Sequence, residues 1–167
     1  MRLLKDILYK TGIEEVVGLT DISIKSIGFD SRKVNSESLF VATSGTKVDG
    51  HQFIDEVIQK GAIAIVCQRF PSELKKGITY VRVNDTALAL SIIACNFYDN
   101  PSEKLKLVGV TGTNGKTTIV TLLFHLFRQL GYSVGMLSTV KNQINDQVIP
   151  STHTTPDAIQ LNELLSA

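Results

Sequence analysis

The sequence predicts an α/β protein, with a small N-terminal α/β domain followed by the start of a doubly wound P-loop domain that is cut short. Three observations predict it. Apolar, β-branched runs alternate with helix-spaced apolar residues through the first hundred positions. Pro, Asn, Ser and charges then cluster at Asp99-Asn100-Pro101-Ser102-Glu103-Lys104, which places a boundary between residues 1–100 and 101–167. Beyond that cluster an apolar segment runs into a glycine loop and then into a helical pattern.

Leu3, Leu4, Ile7 and Leu8 line one face of a first helix that Gly12 ends. Ile22 and Ile24, then Ile27 and Phe29, read as a strand with a shift of register that runs into Asp30-Ser31-Arg32. Leu39-Phe40-Val41-Ala42 reads as a buried strand, and Gly45 and Asp49-Gly50 mark the loop after it. Phe53, Ile54, Val57 and Ile58 give a helix face closed by Gly61. Residues 62–67 are apolar and β-branched, a strand. Residues 71–77 are a polar turn, and 78–83 alternate as a half-buried strand. Asn84 can cap the next helix, with Leu88, Ile92, Cys95 and Phe97 on its apolar face.

After the boundary, residues 105–110 read as a strand and 116–130 as a helix burying Ile119, Leu122, Leu123, Leu126 and Phe127, ended by Gly131. Residues 132–139 read as the next strand, which would complete one parallel βαβ unit with a right-handed crossover. Residues 141–155 are polar and turn-rich. Thr155-Pro156-Asp157 opens a last helix, with a Thr cap, Pro at its first position and an acid near the positive end of the dipole. A doubly wound domain needs around five parallel strands, and two are visible. No later apolar run ends in an acid that could serve a second metal-binding element. The chain is therefore expected to be a fragment, cut inside its nucleotide-binding domain.

Composition excludes several classes. Of 167 residues, 43% are hydrophobic and 20% charged, ordinary for a globular protein. Seventeen basic and sixteen acidic side chains leave a net charge of +1, so nothing electrostatic points to nucleic acid or an anionic membrane. Cys67 and Cys95 form no CxxC pair and sit in apolar patterns, as buried thiols do in a reducing compartment. No apolar stretch approaches the roughly 18 residues that span a bilayer. The N-terminus has no signal-peptide core. A cytoplasmic protein is expected.

Thr111, Gly112, Thr113, Asn114, Gly115, Lys116, Thr117 and Thr118 lie between a strand pattern and a helix pattern, the setting of a phosphate-binding loop. Glycines let backbone N–H groups approach phosphate oxygens, and the helix points its positive end at the same anion. Lys116 can reach the β- and γ-phosphates of ATP, and Thr117 offers a hydroxyl to Mg²⁺. The general pattern would put its first glycine at position 110, which is Val110. The bland alternative is a glycine turn followed by a chance Lys-Thr. Likewise Asp30-Ser31-Arg32 could be a polar turn, Asp49-Gly50-His51 a turn and helix cap, and His125 an ordinary helix-surface histidine.

The departure carries information, because the run from Gly109 to Thr118 resembles the ATP loop of the Mur ligases, the cytoplasmic enzymes that build the peptide stem of peptidoglycan. Asp30-Ser31-Arg32, Leu39-Phe40-Val41-Ala42, Gly45, Asp49-Gly50-His51 and Phe53-Ile54, in that order, resemble the N-terminal domain shared by the members adding the third residue (MurE type) and the terminal dipeptide (MurF type). The Gly-Thr-Asn-Gly loop and His153-Thr154-Thr155-Pro156 favour the MurE type, with His153 standing where other members can carry Asn. The resemblance implies that residues 1–100 bind the UDP end of UDP-N-acetylmuramoyl-L-alanyl-D-glutamate, with Phe29, Ser31, Thr46, Lys47 and Val48 against the uridine diphosphate. It implies His153, Thr154 and Thr155 near the muramoyl peptide, Gly112 to Thr118 on ATP, catalytic Lys116, and Mg²⁺ on Thr117. The implied reaction joins an amino acid, diaminopimelate or lysine, to the dipeptide by an acyl phosphate, in a monomer with no nucleic-acid or membrane partner. The fragment alone is expected to be inactive. The rivals are a MurF-type ligase, a folylpolyglutamate synthase (which lacks a first domain of this kind), a P-loop switch or regulatory ATPase with no UDP-sugar affinity, and a UDP-sugar-binding module without catalysis.

Overall fold

A computed structural model of the chain describes residues 1–45, 48–149 and 156–167. It divides into two compact units, Met1–Asn100 and Pro101–Ala167.

The first unit is built on a five-stranded sheet. In chain order its elements are β1 (Arg2–Leu3), α1 (Leu4–Ile7), β2 (Ile13–Val17), β3 (Ser23–Ile24), β4 (Ser26–Gly28), β5 (Ser38–Val41), α2 (Ile54–Gln59), β6 (Ala62–Cys67), β7 (Thr79–Val83) and α3 (Thr86–Phe97). The sheet order is β2-β7-β6-β5-β4. β4, β5, β6 and β7 run parallel, and β2 is antiparallel to β7. Both faces are covered, as parallel strands require. On one face Phe40, Ala42, Ile65, Cys67 and Tyr80 pack with Ile54 and Val57 of α2. The alternate residues Leu39, Val41, Ala64, Val66, Val81 and Val83 are equally buried on the other. Burying a side chain such as Phe40 or Ile65 is worth about 1.5–3 kcal/mol, so this core carries the unit.

The register shift expected between Ile24 and Ile27 is a change of sheet. β3 pairs with β1 in a separate two-stranded ribbon, while β4 joins the main sheet. Three expectations for this unit are corrected. β7 is buried on both faces, not half-buried, because it lies between β6 and β2 inside the sheet. The cap of α3 is Asp85, not Asn84. The Asp85 carboxylate accepts from the N–H groups of Ala87 (2.8 Å) and Leu88 (3.0 Å), while the Asn84 carbonyl accepts from the Gln68 side chain. The buried face of α3 is Ala89, Leu90, Ile93 and Ala94, and Leu88 is 59% exposed. Small residues let α1 approach this face, and Asn96 fastens it there by donating to the carbonyls of Ile7 and Tyr9.

The second unit comprises a 3₁₀ turn at Pro101–Lys104, α4 (Lys116–Gln129), β8 (Gly135–Leu137), β9 (Asn142–Ile144), β10 (Gln147–Ile149) and α5 (Ala158–Ser166). The helix after the glycine loop and its end near Gly131 stand as expected. The strands do not. Residues 105–110 join no sheet among the described residues, and Leu105, Leu107 and Val108 are exposed. With no ladder there, the expected parallel βαβ pairing is replaced by an antiparallel β10-β9-β8 sheet. The segment expected to be merely polar and turn-rich contains the β9–β10 hairpin, closed by Asn145-Asp146 with Asn145 at φ +50. Asn145 holds the hairpin to the preceding loop: its side-chain oxygen accepts from the Val134 N–H at 2.9 Å. The buried residue of α4 is Phe124, packed in the same small unit as buried Met136. Ile119, Leu122, Leu126 and Phe127 are exposed. α5 is capped by Asp157, which accepts from the Gln160 N–H. Thr155, expected as that cap, lies outside the described residues. No helix among the described residues is long and apolar enough to cross a membrane.

Candidate functional site

The glycine loop of the second unit ends where α4 begins. Gly112 takes φ +148 and Gly115 φ +77, conformations that L side chains rarely adopt. Gly115 is the N-cap of the 14-residue α4 and brings no capping side chain. The other two helices of comparable length are different, for α3 and α5 each carry an aspartate at that position. The first helical bond of α4 runs from the Ile119 N–H to the Gly115 carbonyl at 2.9 Å. The N–H groups of Lys116, Thr117 and Thr118 precede that ladder and are free to meet an anion. Thr111 to Thr118 are all exposed. The Lys116 ammonium curls back over the loop and donates to the carbonyls of Gly112 and Thr113. A cation, unpaired helix N–H groups and a helix dipole therefore converge on one exposed spot, which is the chemistry of a polyphosphate site.

The same spot bears on Mg²⁺. Among the described residues no group of three or more His, Cys, Asp or Glu side chains could hold a metal ion. The Thr117 hydroxyl is a hard oxygen donor beside the loop. A Mg²⁺ here would share that oxygen with phosphate oxygens, a donor set that suits this ion.

In the first unit Phe29, Ser31 and Val48, expected from the sequence, lie with further polar residues at the carboxyl ends of the parallel strands, where open α/β sheets hold ligands. Phe29, Asp30 and Ser31 follow β4, Ser44, Val48 and Asp49 follow β5, Gln68 and Arg69 follow β6, and Asn84 follows β7. Phe29 is half-buried and Ser31 is 8% exposed, its carbonyl accepting from Lys60 Nζ at 2.8 Å. Asp30 caps a 3₁₀ turn and forks onto Arg32, whose guanidinium holds the Asp30 carboxyl down to about 2. Val48 is exposed. Thr46, Lys47, His153, Thr154 and Thr155 lie outside the described residues.

The structure adds residues to this edge. The Asp49 carboxylate accepts from the His51 backbone N–H (3.1 Å), from His51 Nδ1 (2.6 Å) and from Arg69 (2.5 Å). These partners, the His51 N–H foremost, lower its pKa. His51 Nε2 accepts from the Gln68 N–H at 3.0 Å. The Gln68 side chain bonds Ser44 Oγ (3.0 Å) and the Asn84 carbonyl (2.8 Å), so three strand ends are tied together. The Asp-Gly-His run was visible in the sequence. Gln68 and Arg69 were not singled out, although two polar residues directly after the apolar run of β6 are the available signal.

A model described as the Mur ligase family, catalytic domain, matches residues 23–98, and one described as the Mur ligase middle domain matches residues 110–167. The UDP-N-acetylmuramoyl-L-alanyl-D-glutamate–2,6-diaminopimelate ligase of Cytophaga hutchinsonii is 58% identical over 98% of this chain and 34% of its own length. The ligase of the same description from Bacteroides fragilis is 52% identical over 97% of this chain and 33% of its own. The chain thus spans about a third of the length of the curated relatives it matches. A solved structure of a protein of that same description superposes with a TM-score of 0.74 at 24% identity, over 99% of this chain and 33% of that one, a likeness of fold. A MurF ligase from Thermotoga maritima, solved in complex with ADP, gives 0.55 at 26% identity over 84% of this chain and 28% of that one. With two models of one family taking up residues 23–98 and 110–167, this chain belongs to the Mur ligase family.

Proposed function

We propose that the whole protein is an ATP-dependent ligase of peptidoglycan precursor synthesis that joins diaminopimelate to UDP-N-acetylmuramoyl-L-alanyl-D-glutamate. The observation that carries this is the side-chain-free start of α4 beneath Lys116, in a chain 58% identical to a ligase so described. Residues 101–167 would contribute to the ATP site and residues 1–100 would hold the UDP end of the substrate. At that end Phe29 would lie against the uridine, with Ser31, Thr46, Lys47 and Val48 at the diphosphate and His153, Thr154 and Thr155 near the muramoyl peptide. The protein would work in the cytoplasm as a monomer.

The chemistry follows from the poor electrophilicity of a carboxylate. The glutamate γ-carboxylate attacks the γ-phosphorus of ATP, forming a carboxyl–phosphate bond as ADP leaves. The amine of the incoming amino acid then adds to the acyl carbon, and phosphate departs from the tetrahedral intermediate. Gly112, Thr113, Asn114 and Gly115 would cradle the phosphates through backbone N–H groups, with Thr118 N–H at the helix end. Lys116 would leave its carbonyl partners and neutralise the transferring phosphoryl group. A Mg²⁺ ion held by Thr117 would supply further charge neutralisation there. Lys116→Ala in the complete enzyme tests this reading. Turnover should fall by about 10²-fold or more with the fold intact, because among the described residues the exposed ammonium bonds only loop carbonyls. Near-normal ligation by that variant would refute it.

A further inference from the structure

We propose that His51 is a positioning residue for the loop that meets the UDP-linked substrate, acting through Asp49 and Gln68 without touching substrate itself. This rests on the reading of the first unit's strand ends as the UDP site. A backbone N–H can only donate, so the Gln68 contact makes His51 Nε2 an acceptor and leaves the ring proton on Nδ1, aimed at Asp49. The ring side chain is 8% exposed and bridges the end of the β5 loop to the end of β6. At the start of that loop Ser44 bonds Gln68, and Ser44 also bridges to Asp49 at its close. Gly45 N–H donates to the Val48 carbonyl at 3.0 Å inside it. Ser44 and Asp49, described residues on either side of this loop, are therefore both fastened to one histidine–glutamine clip. Holding a binding loop in place before the ligand arrives spares the ligand the cost of ordering it. The clip lies entirely in the first unit, so ATP should not feel it.

The test uses the full-length enzyme and measures the KM for UDP-N-acetylmuramoyl-L-alanyl-D-glutamate, the KM for ATP and kcat. His51→Ala should raise the first by roughly tenfold and leave the other two within about twofold. His51→Asn can still reach Asp49, and His51→Gln can still reach the Gln68 N–H, so each should recover part of the loss. Gln68→Ala, on an exposed side chain, keeps the N–H that His51 accepts and removes the bond to Ser44, so it tests the other half of the clip; Asp49→Ala, which removes the partner of His51 Nδ1, should raise the same KM alone and decides the matter if His51 variants do not fold. An unshifted KM in these variants, with wild-type substrate binding intact, overturns the positioning role. Parallel decline of all three parameters together with melting temperature also overturns it, in favour of a purely structural histidine. Absence of saturable substrate binding by the wild type would remove the UDP-site reading and this proposal with it.

Discussion

Gly50 should not tolerate even one added carbon. A Cβ built there falls 2.8 Å from the Thr43 carbonyl oxygen and 2.9 Å from the Thr43 nitrogen, both backbone atoms. The Gly50 N–H also donates to that carbonyl at 2.9 Å, so the two segments cannot part without losing a bond. Overpacking against backbone costs about 1–3 kcal/mol, and a weakened hydrogen bond adds about 0.5–1.5 kcal/mol. Gly50→Ala should therefore destabilise the first unit by about 1.5–4.5 kcal/mol. Gly28→Ala is the matched control, because an added Cβ there meets nothing within 4 Å; it should stay within about 0.5 kcal/mol of the parent. Urea unfolding with a probe in the first unit reads both, with the midpoint moving and the slope unchanged. A Gly50→Ala protein within about 0.5 kcal/mol of the parent would refute the packing described for this loop.

Asp85→Ala should cost about 1 kcal/mol through loss of the α3 cap, while Asn84→Ala should cost almost nothing, as unfolding midpoints will show. Asp30 is held down to about 2 by Arg32, below the unfolded value of about 4. Its stabilising contribution is therefore complete above about pH 4 and is lost as the pH falls toward 2. Asp30→Asn should flatten stability against pH in that window, by a small amount because the carboxyl is near solvent. Burial pushes the Cys67 thiol up to about 11, so a thiol reagent at neutral pH should label Cys95, which is only partly buried, well before Cys67.

What the sequence disclosed was local. β5 and β6 were legible because buried parallel strands are continuous apolar runs, and the glycine loop because its chemistry lies within eight consecutive residues. α3 was legible as a helix but not in its orientation. Thr86–Phe97 is apolar nearly all round, so a search for large residues chose Leu88 where packing chose Ala89 and Ala94. β2 was overlooked because Glu14 and Glu15 break its apolar pattern, and both pair with Arg82 across the sheet. The cap of α3 was placed one residue early, because only the folded backbone shows that the Asp85 carboxylate, and not the Asn84 side chain, meets the N–H groups of Ala87 and Leu88. The clip around His51 was out of reach for the same reason, since Gln68 arrives from 17 residues along the chain through the pairing of β5 with β6. Residues 105–110 had strand composition, yet a strand needs a neighbour to receive its hydrogen bonds, and no sequence pattern guarantees one.

The most direct measurement takes the full-length protein with UDP-N-acetylmuramoyl-L-alanyl-D-glutamate, ATP, Mg²⁺ and an equal mixture of diaminopimelate and lysine, and reads the products by mass spectrometry. The expected result is a mass gain equal to one diaminopimelate residue with release of ADP. No gain, under conditions where the protein attaches D-alanyl-D-alanine to the UDP-muramoyl tripeptide, would contradict it.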